Sequence, residues 1–272
     1  MINIKSIVIA ALLSILAVSQ ANAVLSVEDG ASCSTGSAGT GFSCSGGGGV
    51  SGTAGDIVIS EIACNASNSR GAFPTISGVS DSSGLGHVWV ARGPTGGHTY
   101  HNGTNVYVVH AIYWTYASTT FATTLSVTTN NTYDACSEVS YAVKGFTGTL
   151  YQTSPWDSNG SLPSVANIPN GSARTVTGIS TTSVNAMLTA FGQGSNGCTW
   201  INSYTQIAAG PNGNGAIAAD LVVSSTQSNV SAGCNTTVGQ DAIMIGDALA
   251  QGGGSAPPSL LLILGVGGPD GN

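Results

Sequence analysis

The chain has 272 residues, of which only 6% are charged, against a usual share of roughly a quarter. Its net charge is −7, and after residue 23 the basic side chains are Arg70, Arg92, Lys144 and Arg174 alone; that argues against nucleic acid as a partner, since nothing could neutralise a row of phosphates. Gly, Ser, Thr and Asn replace the missing charge, while Val, Ile, Leu and aromatic residues stay plentiful, so the composition is not that of a disordered chain.

Residues 1–23 have the layout of a secretory signal peptide: Lys5, an apolar run from Ile7 to Val18, then Ala21-Asn-Ala23. The mature chain is expected to begin near Val24 and to be secreted or held at a cell surface. The rival reading is an N-terminal anchor, for which the apolar run is short. Residues 24–55 are Gly- and Ser-rich without a strand-like run, and read as an arm or linker.

A β-sandwich domain is expected over residues 56–250. The runs at 57–63, 75–80, 87–91, 106–114, 122–129 and 136–146 are rich in β-branched and aromatic residues and bounded by Asn, Gly or Thr, so they read as strands. The run at 106–114 is apolar on both faces and should lie centrally, with something packed on each side. In the run at 136–146, Val139, Tyr141 and Val143 share one face; Glu138, Ser140 and Lys144 share the other. Residues 147–173 carry three prolines and two Asn-Gly pairs and read as a long loop, a feature often tied to function. Further strands are expected at 174–177, 184–191, 203–207, 216–223 and 242–246. About ten antiparallel strands separated by turn signals predict an all-β sandwich, jelly-roll-like in its wrapping. Residues 251–272 form a Gly/Pro-rich tail; its apolar segment 260–266 is too short to span a bilayer and could serve as an added strand or a docking peptide.

Six cysteines, an even number, all follow residue 23 and fit an oxidising compartment. Six allow fifteen pairings; proximity and loop context suggest Cys33–Cys44, Cys64–Cys136 and Cys198–Cys234. Structural zinc is disfavoured, because there is no C-x-x-C and no His at ligand spacing from a Cys.

No G-x-S-x-G, H-E-x-x-H, P-loop or dinucleotide-binding glycine pattern occurs. Glu61 and Glu138 lie in predicted strands and are the candidate acid pair of a glycan hydrolase, although each is expected on a strand's polar face. His98, Tyr100 and His101, on a Gly-bounded loop, are candidates for a sugar or metal site that lacks a third ligand. His110, inside a strand, is expected to be hydrogen-bonded within the sandwich. Asp81 should accept from its own turn. No cofactor is expected: loop carboxylates such as Asp81 and Asp157 suit calcium, but nothing has the ligand density of an EF-hand loop. Trp89 and Trp114 read as core, whereas Trp156, beside Asp157, and Trp200, after Cys198, are the candidate exposed platforms for a sugar ring. Sequons at Asn65, Asn102, Asn159, Asn170, Asn229 and Asn235 follow from composition.

Ile76-Ser-Gly-Val-Ser-Asp-Ser-Ser-Gly84 followed by Trp89 resembles the v-x-D-s-x-G-n-x-y/w hairpin of a β-sandwich module found in bacterial secreted and surface proteins and in phage tail and fibre proteins; Leu85 stands where that module usually has Asn. The segments 141–148, 156–157, 180–188 and 243–249 extend the resemblance. It implies a jelly-roll-like sandwich with an adhesive or structural role and brings no catalytic residues with it. The expected function is a non-catalytic surface structural or adhesion protein whose partner is a glycan, a cell surface or copies of itself. The alternatives are a filament or virion subunit assembling by strand addition through its terminal arms, and an extracellular glycan hydrolase.

Overall fold

Three long strands of this chain, side by side in one sheet, are buried on both faces, and the architecture follows from that. The computed structural model describes residues 24–44, 49–103, 106–194, 198–210 and 215–252; the signal-peptide reading of 1–23 and the apolar segment 260–266 lie outside them. Eighteen strands run through the described residues. The first half holds β1 (Ser26–Thr35), β2 (Gly39–Ser43), β3 (Val50–Gly52), β4 (Ile57–Ser67), β5 (Ile76–Asp81), β6 (Val90–Arg92), β7 (His98–Tyr100), β8 (Val106–Tyr116), β9 (Phe121–Thr123), β10 (Leu125–Tyr133) and β11 (Ala135–Lys144). The second half holds β12 (Ser164–Ile168), β13 (Ala173–Ile179), β14 (Ala186–Gly194), β15 (Thr205–Ala209), β16 (Gly215–Val223), β17 (Val230–Thr237) and β18 (Ala242–Ala250). Every pairing is antiparallel, and no helix among the described residues is long and apolar enough to cross a membrane.

The two halves share one topology. The first inner sheet runs β1-β11-β4-β8-β6, and the second runs β12-β18-β14-β16-β15. Ranked by chain order, and setting aside β7, which pairs with β8 off this path, both read 1-5-2-4-3. In each half the chain leaves the inner sheet after its first strand and again before its last, and those two excursions pair with each other outside it: β2 with β10, β13 with β17. This is jelly-roll wrapping, present twice. The region expected to be one sandwich is two, stacked through their inner sheets.

Four layers result, with a core at each interface. Ile57, Ile59, Val108, Ile112, Val139, Tyr141 and Val143 of the first inner sheet meet Met187, Phe191, Ile243, Ile245 and Leu249 of the second. On the opposite face of the first inner sheet, Ile62, Cys64, Val109, Ala111 and Tyr113 meet Ile76, Val127 and Tyr133 of the outer layer. Alternate side chains of one strand therefore serve two cores, which is why the 106–114 run is apolar throughout. The second outer layer closes over Leu188, Ala190, Met244 and Ala248.

Two expectations from the sequence are corrected. The segment 24–55, read as an arm, is folded in: β1 pairs with β11 along its length, Cys33 opposite Glu138, and β2 and β3 pair with β10 and β9. Its Ser and Gly residues fill edge and outer strands, where few bulky side chains are needed. The 147–173 loop contains β12, which pairs antiparallel with β18, Ser164 opposite Gly246 and Ile168 opposite Ala242. Glycines at tight approaches are part of the packing: a Cβ on Gly246 would collide with Ile179, and Gly145, at φ +94°, lets the chain leave β11 against the backbone of Val24.

Three disulfides join Cys33–Cys44, Cys64–Cys136 and Cys198–Cys234. Cys64 and Cys136 are direct cross-strand partners on β4 and β11.

Candidate functional site

The two glutamates do not form a pair. In the β4–β11 register Glu61 lies opposite Val139, while Glu138 lies opposite Ile62. Cross-strand partners point to the same face, so Glu61 and Glu138 point to opposite faces of the first inner sheet. Neither is on a polar face: they are 0% and 1% exposed, because both faces of that sheet are covered. Glu61 Oε1 accepts from the Tyr141 hydroxyl at 2.9 Å; burial, with Asp247 nearby, holds its carboxyl well above the usual range. Burial pushes Glu138 up to about 7.

The His98–Tyr100–His101 group is likewise divided. Residues 98–100 form β7, with His98 opposite His110, so His98 and Tyr100 share the face toward the second inner sheet. His101 turns the other way, with Nδ1 3.2 Å from the Val106 carbonyl and its ring stacked on Tyr107 at 4.0 Å. Burial lowers the His98 pKa. His110, expected to be hydrogen-bonded, has no partner for either ring nitrogen among the described residues; it packs on Phe191 with ring centroids 5.0 Å apart, and burial with His98 beside it pushes its pKa down to about 3.

The candidate platforms are packed rather than presented. Trp156 is 4% exposed, bridges to Leu249 and carries Arg92 over its ring at 5.1 Å: the loop tryptophan plugs the seam between the jelly rolls. Trp200 bridges to Cys234, stacks on Tyr204 and packs half-buried against the second core. Asp157 is occupied by the backbone N–H groups of Asn159 (2.9 Å), Thr182 (3.0 Å) and Ser183 (2.8 Å) and by the Thr182 hydroxyl (2.9 Å). It is buried, which raises its pKa, yet these donors outweigh the burial and hold it below the usual range. A calcium ion would have to displace them.

What the surface does present is a groove at the edge of the first inner sheet. Asp81, ending β5, latches the loop that follows. It accepts from Ser83 through both N–H (3.0 Å) and hydroxyl and from Trp89 Nε1 (3.0 Å), with His87 Nδ1 3.2 Å away. Held in this way, the loop turns Leu85 and Val88 outward; with Val90 they are 48%, 75% and 43% exposed. Tyr116, Ser118, Gln152 and Thr153 also line the groove, and Trp114 and Thr115 border it as buried residues. β6 pairs with β8 only at Ile112, Tyr113 and Trp114, so on this side Thr115 and Tyr116 have no strand partner among the described residues.

No protein-family model, curated protein or solved structure matches the chain.

Among the described residues the basic side chains offer no alternative surface. Arg70 pairs with Asp134, Arg92 with Asp247 and Lys144 with Glu28, and Arg174 is buried with Nη2 donating to the Thr237 carbonyl. Sequence reasoning had identified the Asp81 hairpin but not its exposed wall. The available signal was Leu85-Gly-His-Val88, which places aliphatic residues in a turn where Asn is usual.

Proposed function

We propose that the chain is a non-catalytic, exported structural or adhesion protein of two stacked jelly rolls that meets its partner at the Leu85–Val90 groove. The observation that carries this reading is the concentration of the exposed aliphatic side chains of Leu85, Val88 and Val90 along one groove, an arrangement that marks interaction surfaces. The partner chemistry it fits is a glycan: an aliphatic and aromatic lining for the apolar face of a sugar, with the amide of Gln152 and the hydroxyls of Ser118 and Thr153 for its polar edge. Three disulfides favour an oxidising compartment. The hydrolase alternative loses its support, since its two carboxylates face opposite ways and neither reaches the groove. The test is a glycan array probed with the wild type, Tyr116→Ala and Val88→Asp. Signal lost in both variants supports the reading; binding that survives in both, or absence of any binding by the wild type, removes it.

A second reading, assembly by strand addition, is favoured by the unpartnered edge at Thr115 and Tyr116. Because residues 24–55 are committed to the fold, this reading now depends on the tail. Light scattering on chains with and without residues 255–272 checks it: an oligomer that becomes a monomer on trimming supports assembly.

A further inference from the structure

The Cys33–Cys44 disulfide sits on a buried acid. Cys33 and Glu138 are direct cross-strand partners in the β1–β11 pair, so their side chains share a face. Cys44 Sγ lies 2.7 Å from Glu138 Oε2, while Oε1 accepts from the Ser60 hydroxyl at 2.7 Å. A sulfur in a disulfide has no proton to donate. The contact is therefore satisfied by the protonated acid, Oε2–H donating to sulfur and Oε1 accepting from serine, and burial that pushes Glu138 up to about 7 keeps that proton available near neutrality. The disulfide is also asymmetric. Cys44 is 2% exposed, whereas Cys33 is half-buried on β1, the edge strand of its sheet, followed by exposed residues 36–38.

We propose that Cys33–Cys44 is an exchange-active disulfide that reacts with external thiols, with Glu138 as the proton donor to its buried sulfur. The thiolate of a dithiol reductant attacks Cys33 Sγ, forming a mixed disulfide and breaking the Cys33–Cys44 bond. The departing electron pair goes to Cys44 Sγ, which takes the proton from Glu138 Oε2. The reductant's second thiol then closes its own disulfide and releases Cys33. Two electrons pass from the dithiol to the cystine, and Glu138 is left as a carboxylate accepting a hydrogen bond from the new Cys44 thiol. In the reverse direction that carboxylate takes the proton back and generates the attacking Cys44 thiolate. Of the other two disulfides, Cys64–Cys136 is buried at both ends, and Cys198–Cys234 joins a half-buried to a buried sulfur as Cys33–Cys44 does; among the described residues only Cys33–Cys44 has a carboxylate hydrogen-bonded at its sulfur.

Glu138 is the group that sets the pH response. The titratable groups on the elements beside and over this face are Asp29, Asp56, Asp81, His87, Tyr113 and Tyr133; Asp29 accepts from the N–H and hydroxyl of Ser51. Asp56 bonds Thr53, Asp81 bonds Ser83, Trp89 and His87, Tyr133 donates to the Gly41 carbonyl, and Tyr113 bonds the backbone of Gly96; none is a hydrogen-bond partner of Glu138.

The experiment is native-state reduction of the full oxidised chain by dithiothreitol. Alkylation and peptide mass spectrometry then follow each disulfide separately. Cys33–Cys44 is expected to open at least tenfold faster than the other two. Its rate per unit of reductant thiolate is expected to fall about tenfold from pH 6 to pH 8, as Glu138 ionises with a midpoint of about 7. In Glu138→Gln that fall should vanish while the far-ultraviolet spectrum is unchanged. Equal rates for the three disulfides, or a thiolate-normalised rate in the wild type that does not depend on pH, would overturn the proposal without reference to any variant.

Discussion

Arg92 on β6 donates from Nε and Nη2 to Asp247 on β18, at 2.8 and 3.1 Å, and so ties the first jelly roll to the second. Among the described residues the other ion pairs stay within the first half. The Asp247 side chain is wholly buried, and burial raises its pKa even against the pull of Arg92. Arg92→Ala strands that carboxyl, at an expected cost of about 3 kcal/mol in urea unfolding. Adding Asp247→Asn should recover more than half of the loss, because the stranded charge, not the missing attraction, is the larger penalty.

Glu138 makes stability fall with rising pH. Below its ordinary pKa of 4.5 both folded and unfolded chains hold the proton. Between 4.5 and about 7 the unfolded chain releases it and the folded chain keeps it, so the folded state loses ground over that window, by about 3 kcal/mol in full. His110 acts in the opposite direction: its folded pKa is depressed to about 3 from 6.5, so its contribution is present above 6.5 and is lost as pH falls. Urea unfolding of the wild type and Glu138→Gln at pH 5 and pH 8 separates the two. The variant should gain relative to the wild type at pH 8, and an unchanged difference would remove Glu138 as the source.

Trp156 belongs to the seam, so Trp156→Ala should behave as a core deletion. The expected cost is about 4 kcal/mol, read as a lower urea midpoint. A variant of unaltered stability that lost only ligand binding would return Trp156 to the surface.

Asp81 should act on the groove through its loop. Asp81→Ala leaves the Ser83 N–H and the Trp89 indole N–H without their acceptor, at about 1–2 kcal/mol, and hydrogen exchange at residues 82–89 should quicken while β4 and β8 stay protected. Val88→Asp, at an exposed position, should change stability by no more than about 0.5 kcal/mol.

Much of the fold was legible because its signals are local. Alternation, β-branched composition and turn residues located most of the long strands, and apolarity on both faces marked 106–114 as central. Proximity suggested the same three disulfide pairs that the structure contains. β1, β3 and β17 were not legible, because Ser- and Gly-rich strands at edges and in outer layers carry little apolar pattern of their own and are held by partners distant in sequence. The doubling of the jelly roll lies in strand order, which no local window contains.

The candidate site followed the same division. The sequence by itself determined an all-β, charge-poor, cysteine-paired chain, and it singled out the Asp81 hairpin. Only the tertiary structure decided which way each residue faces. A one-residue offset between β4 and β11 parts Glu61 from Glu138. A second sandwich stacked on the first buries Trp156 and covers one face of β11, while the first sandwich's own outer layer covers the face that composition alone made polar. Facing depends on register and on what is packed above, and both are set by residues distant in the chain, 70 positions or more apart across the β4–β11 pair.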